Sequence, residues 1–306
     1  QKQAAALKLT LPGQSPRYLL NRIQRDAAVS DLNSARFLYQ FADQFQSIRH
    51  YETLELPVAA THLFFKIPGV DSTFSAPVSK WKRPENGTTA QRLFDKVNPV
   101  SNTYWVVEGK TIRFRPGMHR IASDVIIPEG FEVFFGDGVT LDLVQKARFI
   151  SRSPVQMMGS EEALIKIQSS DQSAQGFTIL QAAKPSVLKH VVFEDLNTLR
   201  EEGWILTGAV NFYESEVRFY RCVFRRNHCE DALNVIRATY QMDDCRFVET
   251  HYDAFDNDFC KGEIKNTTFV DIGNDAMDFS GSIVTIRDCK AIRCTDKGIS
   301  VGEESD

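Results

Sequence analysis

Several features that mark common protein classes are absent from this chain of 306 residues. It has no run of about 18 apolar residues, so the sequence predicts no membrane-spanning helix. It has no Cys-x-x-Cys pair, which disfavours a zinc ribbon. Its charge is nearly balanced, with 36 basic and 40 acidic residues, whereas a protein that binds nucleic acid normally carries a basic stripe. Nucleic acid is therefore not an expected partner.

A short phrase does recur in the C-terminal third, at nearly constant spacing. Its last polar residue stands at positions 211, 234, 256, 278 and 300, so the steps are 23, 22, 22 and 22 residues. The copies are Gly208-Ala-Val-Asn211, Asp231-Ala-Leu-Asn234, Asp253-Ala-Phe-Asp256, Asp275-Ala-Met-Asp278 and Asp296-Lys-Gly-Ile-Ser300. A period in this range, with strand-forming residues in each copy, is typical of a solenoid whose coils stack about 4.8 Å apart.

A second pattern in the same region has the same period and concerns cysteine and phenylalanine. It reads Cys222-Val-Phe224, Cys245-Arg-Phe247, Thr267-Thr-Phe269 and Cys289-Lys-Ala291. Alternation with charged or variable residues predicts strands with one buried face. Cys222, Cys245 and Cys289 are therefore expected to be stacked free thiols. Cys229, Cys260 and Cys294, nearer the turns, are the candidates for disulfides.

The N-terminal third lacks the repeat. Residues 1–103 are predicted to form a small α+β segment that covers the open end of the solenoid, since an uncovered first coil exposes a sheet edge. The periodicity of apolar residues predicts helices over Pro16–Arg25 and Asp31–Ile48. A strand is expected within Thr61–Ile67.

Residues 104–306 are predicted to form the solenoid, with coils of about 22 residues, because short strand-like runs alternate there with Gly and Pro turns. Residues 145–162 and 197–206 are expected to be loops that leave the coil. The last coil stops at Asp306, soon after Ser300, and is incomplete. This indicates further domains beyond Asp306, or a partner that covers this end.

The first strand of each coil carries the candidate site. Strand alternation predicts that Asp256, Asp258 and Asp278 point outward on adjacent rungs of one face. Mid-strand positions disfavour Asp, which favours a functional role for these three. The aspartates at strand entries, by contrast, are predicted to cap turns by accepting backbone N–H groups. These four are Asp231, Asp253, Asp275 and Asp296.

Three uses of the outward carboxylates stay open at this stage. One carboxyl with a raised pKa can act as general acid while another stays ionised, as a glycosidase requires. Alternatively, Asp256, Asp258 and Asp278 bind Ca²⁺ as a cofactor that bridges the acidic groups of a uronate substrate, and a neighbouring side chain acts as base. The third use is binding of a hydroxyl-rich or cationic ligand without catalysis.

The residues around the carboxylates are assigned by their place in the repeat. In the Ca²⁺ alternative, the base is Arg237, Lys261, His228 or His251, and His251 is assigned to the catalytic set with the three aspartates. The residues expected to contact the substrate are Asn211, Tyr213, Asn234, Arg237, Lys261 and His228. Arg237 and Lys261 are expected to pair with substrate carboxylates.

Residues from about 104 onward resemble the pectin-lyase-like superfamily of right-handed parallel β-helices. The strand, Pro-x-Gly, strand and Gly turn between Val125 and Leu143 resemble its opening coils. The Asp-Ala-x-Asp units resemble phrases in the β-helix repeats of periplasmic copper-processing and sugar-hydrolase proteins and of mannuronan C5-epimerases. The Gly-His-Gly and Arg-Ile-Lys of polygalacturonases and the Pro-His of the epimerases are absent, so no catalytic motif transfers intact.

This resemblance implies a right-handed coil and a protein of the cell surface, periplasm or extracellular space. It also implies a polysaccharide partner, mostly an acidic one, that is lysed, hydrolysed or epimerised. The alternative is a non-catalytic module, either a rigid rod or a glycan-binding platform, within a larger protein.

Overall fold

The computed structural model describes residues 6–10, 17–20, 62–66, 72–77, 93–94, 97–201, 204–302 and 304–306. The chain divides into two compact units, Gln1–Arg83 and Pro84–Asp306. The second unit thus starts earlier than the boundary predicted between residues 103 and 104. Within the described ranges, no helix is long and apolar enough to cross a membrane.

The first unit contains a four-stranded antiparallel sheet with the strand order β2-β1-β3-β4. Its strands are β1 (Ala6–Thr10), β2 (Arg17–Leu20), β3 (His62–Lys66) and β4 (Thr73–Pro77). β3 confirms the strand expected within residues 61–67. The helix predicted over Pro16–Arg25 is wrong for its described part, because pairing with β1 overrides the weak helical preference of so short a segment. The helix predicted over Asp31–Ile48 lies outside the described residues.

The second unit is a parallel β-solenoid in which each coil adds one strand to each of three sheets. Sheet 1 contains β8 (Val125–Ile127), β11 (Phe149–Ser151), β14 (Phe177–Leu180), β19 (Gly208–Tyr213), β22 (Asp231–Ile236), β25 (Asp253–Asp258), β28 (Met277–Ser280) and β31 (Ser300–Val301). The predicted solenoid with coils of about 22 residues is confirmed.

The other two sheets complete each coil. Sheet 2 contains β5 (Trp105–Glu108), β6 (Thr111–Phe114), β9 (Glu132–Phe135), β12 (Val155–Met158), β15 (Ser186–Lys189), β20 (Val217–Tyr220), β23 (Thr239–Asp243), β26 (Lys261–Lys265) and β29 (Ile283–Arg287). Sheet 3 contains β7 (Gly117–Ile121), β10 (Val139–Leu143), β13 (Ile165–Gln168), β16 (Val191–Glu194), β21 (Val223–Arg225), β24 (Arg246–Thr250), β27 (Thr268–Ile272) and β30 (Lys290–Cys294).

The two segments expected to be loops behave differently. Residues 145–162 contain β11 and β12 and so form part of a coil, and the prediction of a loop there is wrong. The Gly and Ser residues of this segment are typical of a loop, so the two short apolar strands did not stand out in the sequence. Residues 197–206 do leave the coil, as an antiparallel hairpin of β17 (Leu199–Glu201) and β18 (Trp204–Leu206).

Phenylalanine rings stack along the solenoid axis and form much of its core. Ring centroids are 4.6 Å apart between Phe224 and Phe247 and 4.8 Å between Phe247 and Phe269, and both pairs are nearly parallel. The spacing matches the distance between neighbouring strands, so the ladder follows from the register. Cys222 and Cys245 are fully buried beside these rings, as predicted. All six cysteines lie in the described part and are free thiols, so the alternative of disulfides at Cys229, Cys260 and Cys294 is not realised.

The corners of the coil are formed by residues in the left-handed region. The corner between sheet 1 and sheet 2 is occupied by one left-handed residue in each of five successive coils, with φ between 48° and 61°. These residues are Gln181, Glu214, Arg237, Phe259 and Gly281. A left-handed residue at the same place in successive coils bends each strand by the same amount. The corner residues therefore stack in columns as the strand residues do.

The phenylalanine ladder provides a first prediction. Phe247→Ala removes a fully buried ring that contacts a ring on each side. We expect it to lower the free energy of unfolding by about 3–5 kcal/mol, measured by urea denaturation. The control is Met118→Ala at a side chain that is 70% exposed, which should change stability by less than about 0.5 kcal/mol. Equal effects of the two substitutions would contradict a continuous aromatic core.

Candidate functional site

The outward side chains of sheet 1 form two columns, as the repeat predicts. In the first, Asn211 aligns with Asn234, Asn234 with Asp256, Asp256 with Asp278 and Asp278 with Ser300. In the second, Tyr213 aligns with Ile236, Ile236 with Asp258 and Asp258 with Ser280. The register expected for the three aspartates is confirmed, and all three are partly exposed.

The upstream end of this face is covered. Ile150 and Leu180, which occupy the same two columns nearer the N-terminus, are buried together with Leu199 of the hairpin. Trp204 and Leu206 of the hairpin pack against this cluster. The hairpin therefore ends the accessible part of the face next to Asn234, and the three aspartates lie on the uncovered side.

Asn234 lies between this covered edge and the part of sheet 1 that carries Asp256, Asp258 and Asp278, which we call the acidic face. Its Nδ2 donates to Thr207 Oγ1 at 3.0 Å, to Asp231 Oδ2 at 3.1 Å and to Asp256 Oδ2 at 2.9 Å. The side chain is only 2% exposed, and its Oδ1 has no hydrogen-bond partner in the described part of the structure. Asn234 thus holds the carboxyl groups of Asp231 and Asp256 near each other through its amide nitrogen.

Burial and neighbouring charge raise the pKa of these two carboxyl groups. Burial is the main cause that raises the pKa of Asp256 to about 9, and the charges of Asp231, Asp258, Asp278 and Asp253 add to it. Burial likewise raises the pKa of Asp231 to about 7, against the hydrogen bonds from Thr207 and Asn234. Asp256 therefore carries a proton at neutral pH and can donate it.

Asp258 is the next outward residue after Asp256 on β25, and its environment differs from that of Asp256. Burial and the charge of Asp278 raise its pKa, whereas the charge of Arg237 lowers it. Carboxyl groups on one face thus differ in their tendency to ionise, which is the condition for dividing acid and base roles.

Asp253 and Asp275, two of the four aspartates at strand entries, act as caps, as predicted. Asp296 instead pairs with the side chain of Lys297. Asp253 Oδ1 accepts the backbone N–H of Asp275 at 2.8 Å, and Asp275 Oδ1 accepts that of Lys297 at 2.8 Å. Asp231 is different, because its carboxyl bonds to Asn234 and belongs to the buried cluster.

Arg237 lies at the corner beside Asp258. Its Nη1 is 3.2 Å from Tyr213 Oη and 3.9 Å from a carboxylate oxygen of Glu214, and its guanidinium lies 5.7 Å from the ring centre of Phe259. The structure thus brings together Arg237 and Tyr213, which were both predicted to bind substrate, at one edge of the acidic face.

The histidines and Lys261 are placed elsewhere. His228 and His251 precede β22 and β25, with ring centroids 6.1 Å apart, and His228 lowers the pKa of Asp195, which burial raises. They occupy the strand-entry edge of sheet 1, opposite Arg237. Lys261 is the first residue of β26 in sheet 2. The roles predicted for His251 as base and for His228 and Lys261 as substrate contacts stay predictions.

Asn211 and Asn234 were expected to contact substrate, but they are only 1% and 2% exposed. Asn211 Nδ2 donates to the carbonyl oxygen of Gly208 at 2.7 Å. An added Cβ on Gly208 would lie 2.5 Å from Asn211 Oδ1. The contact prediction is corrected here: both asparagines position neighbouring groups, because the hairpin covers their part of the face.

The residues present do not form an evident calcium site. No group of three His, Cys, Asp or Glu side chains in the described ranges is arranged to hold a metal ion. A carboxyl group that retains its proton, such as Asp256, is also a poor Ca²⁺ ligand. No chemical step is therefore assigned to Ca²⁺ below.

A groove of about 700 Å³ lies on another side of the solenoid. Its lining residues are Lys189, Tyr220, Arg221, Asp243, Asp244 and Asn266. They belong to sheet 2 and its following corner, so the groove contains none of the predicted site residues.

Comparison of the chain with models of protein families, with curated proteins and with solved structures found no match.

Three residues of the site were not predicted from the sequence. Thr207 is positioned by the hairpin, which the repeat could not reveal. Asp231 shared a pattern with the capping aspartates and was assigned to them. Phe259 had a usable signal, because it is an apolar residue in a column that is otherwise polar or glycine from residue 181 to 281.

The buried carboxyl groups predict a pH dependence of stability. Folded-state pKa values of about 7 and about 9 for Asp231 and Asp256 exceed the value of about 3.9 for an unfolded Asp. Their stabilisation is complete below about pH 4 and is lost as the pH rises through the folded values. We expect the Tm to fall between about pH 5 and about pH 9, and Asp256→Asn to reduce that fall because the amide stays neutral.

The matched control for this experiment is Asp288→Asn, at an exposed left-handed corner that Asn accepts. It should leave the pH dependence of the Tm as in the unaltered protein. The same slope for Asp256→Asn and for the control would contradict a neutral, partly buried Asp256.

Proposed function

We propose that this protein is a glycoside hydrolase of an acidic polysaccharide, with Asp256 as the proton donor. The observation that carries the proposal is a carboxyl group kept protonated by burial and by other carboxylates, on a strand face that is open on one side. The proposal includes membership of the pectin-lyase-like superfamily and a location in the periplasm, at the cell surface or outside the cell. Those two points follow from the resemblance of its repeats.

Asp278 is the proposed partner of Asp256. The two residues are paired on adjacent strands, so their backbones lie about 4.8 Å apart and their side chains leave the same column. That spacing is close to the roughly 5–5.5 Å of retaining glycosidases and shorter than the roughly 6.5–9.5 Å of inverting ones. We therefore assign Asp278 as the nucleophile.

The reaction then has two balanced steps. In the first, Asp256 gives its proton to the glycosidic oxygen, the bond from that oxygen to the anomeric carbon breaks, and a carboxylate oxygen of Asp278 bonds to that carbon. In the second, the Asp256 carboxylate takes a proton from water, and the water oxygen displaces Asp278. The net change is addition of one water across the bond.

The surroundings support an elongated substrate. The hairpin closes one end of the face, and the coils continue beyond Asp278 without such a cover in the described part. Arg237 provides a positive charge beside Asp258 for a substrate carboxylate. Binding of a uronate next to several carboxyl groups is less unfavourable when one of them is neutral.

A second candidate is a glycan-binding module without catalysis. The observation that favours it is the groove of about 700 Å³ on sheet 2, where the ring of Tyr220 is 44% exposed among charged side chains. Exposed aromatic rings and paired polar groups are suited to binding sugars without altering them.

Turnover distinguishes the two candidates. Purified protein is incubated with polygalacturonate, alginate and a neutral β-glucan, and new reducing ends are measured. We expect release from an acidic polysaccharide, with retention of anomeric configuration seen by NMR. Asp256→Asn and Asp278→Asn should lower the rate by at least about 10²-fold, because each removes a group that acts in the transition state.

Asp288→Asn, outside this face, serves as the control and should keep the unaltered rate. The assays are run with added Ca²⁺ and with a chelator, which tests the alternative in which this ion is a cofactor. Release of unsaturated products would indicate a lyase instead. Full activity of Asp256→Asn, or binding without turnover on every substrate, would refute the proposed hydrolase.

A further inference from the structure

Asp231 does not cap a turn, although it occupies the same place in the repeat as Asp253 and Asp275. Asp253 Oδ1 accepts the backbone N–H of Asp275, the equivalent residue of the next coil. The corresponding donor for Asp231 is the backbone N–H of Asp253, which goes instead to the carbonyl oxygen of Glu230 at 2.8 Å. The carboxyl group of Asp231 is therefore released from the capping role that its position predicts.

This carboxyl group is buried without a positive partner in the described part of the chain. Asp231 is only 3% exposed, and its hydrogen-bond donors are the hydroxyl of Thr207 and the amide nitrogen of Asn234. Burial of a carboxyl group without a cation or a backbone N–H is costly. Neither capping nor charge pairing thus accounts for an aspartate at this position.

One amide nitrogen serves both Asp231 and Asp256. Asn234 Nδ2 lies 3.1 Å from Asp231 Oδ2 and 2.9 Å from Asp256 Oδ2. Thr207 Oγ1 is a third oxygen, at 3.0 Å. An NH₂ group has only two hydrogens, so it cannot satisfy all three oxygens, whereas the Thr207 hydroxyl has a hydrogen of its own for Asp231. Asp231 then accepts from two neutral groups and Asp256 from one, so Asp231 is the first of the two to ionise.

The other ionisable groups around this pair are mostly acidic. They lie before β22, along β25 and on β28, and a cation stands at the corner beside Asp258. These groups are Glu230, Asp253, Asp258, Asp278 and Arg237. Burial is the main cause that raises the pKa of Asp256, and the charge of Asp231 is the largest of the charges that add to it. An ionised Asp231 thus opposes loss of the Asp256 proton more than these other charges do.

We propose that Asp231 is a positioning residue for the proposed acid and that, across the shared Asn234 amide, it keeps the proton on Asp256 until a leaving group accepts it. The ionised Asp231 carboxylate disfavours a second charge at the same amide. Once Asp256 has given its proton to the glycosidic oxygen, the same charge favours return of a proton from water in the second step. The role in turnover rests on the proposed function, whereas the coupling of the two carboxyl groups does not.

The coupling can be measured without turnover. The full chain, with aspartates isotopically labelled at their carboxyl carbons, is titrated by NMR, and the Asp256 signal is identified by its absence from Asp256→Asn. Asp231→Asn keeps the shape of the side chain and removes its charge. We expect it to lower the titration midpoint of Asp256 by at least about one pH unit, the size typical of coupled carboxyl pairs. That shift is about tenfold in proton affinity.

Asp275→Asn is the matched control, because Asp275 has the same place in the repeat and accepts the backbone N–H of Lys297. An Asn side chain still accepts that N–H, so the Asp256 midpoint should not move. A merely structural Asp231 would lower the Tm in Asp231→Asn and leave the Asp256 midpoint in place.

Thr207→Val is a second variant that keeps both carboxyl groups. Burial raises the pKa of Asp231 and the hydrogen bond from Thr207 opposes it, so Asp231 should titrate at higher pH without the hydroxyl. This variant decides the question if Asp231→Asn does not fold. An unmoved Asp231 midpoint would then overturn the shared network.

The outcomes are distinguishable from those of the hydrolase assay. Where polysaccharide is hydrolysed, the alkaline limb of the kcat/KM profile should follow the NMR midpoint to lower pH in Asp231→Asn. A shifted midpoint in a protein without turnover upholds the coupling and refutes only the hydrolase. An Asp256 midpoint that is the same in Asp231→Asn as in the unaltered protein, or that moves as far in Asp275→Asn, overturns the inference even when hydrolysis is observed.

Discussion

The register of the parallel strands is the constraint on which this structure depends. Each coil must return to its starting point one strand spacing further along the axis, so that every backbone N–H meets a carbonyl of the neighbouring coil. Equivalent side chains then stack directly. For the interior this is favourable, and phenylalanine and cysteine repeat there. For the exterior it brings like charges together wherever the repeat contains an acidic residue, and the chain must neutralise them.

The chain uses three different ways to neutralise stacked acids. At corners, a basic residue of one coil pairs with an acidic residue of a neighbouring coil, as where Arg293 pairs with Asp271 at 2.8 Å and Arg221 with Asp244 at 3.0 Å. At strand entries, backbone N–H groups satisfy the carboxylates of Asp253 and Asp275. At Asp256, the carboxyl group instead keeps its proton. Only the third way leaves a group that can transfer a proton, which distinguishes Asp256 from acids that are equally regular in the sequence.

The sequence predicted those features that depend on the period alone. The spacing of 22 residues fixed the alignment of Asp256 with Asp278 and the inward thiols of Cys222 and Cys245. It could not predict which outward residues are covered, because the hairpin at 199–206 interrupts the repeat and its packing is a tertiary effect. Asn234 was therefore expected at the surface and is buried. The strand at Arg17–Leu20 was missed because pairing with β1 overrides the helical preference of so short a segment.

The position of the candidate site follows from where the cover of sheet 1 ends. Full cover would bury Asp256 beyond the reach of a polymer, and no cover would leave its carboxyl group hydrated and ionised, with nothing to donate. At the edge of the hairpin, Asn234 and Asp231 desolvate one side of Asp256 while the other side faces the open coils. Tyr213 packs against the covered apolar cluster of Ile150, Leu180 and Leu199 and also contacts Arg237 at the corner. The proton donor Asp256 therefore lies where the cover from one insertion ends, and Arg237 at the neighbouring corner reaches back to Tyr213 at the edge of that cover.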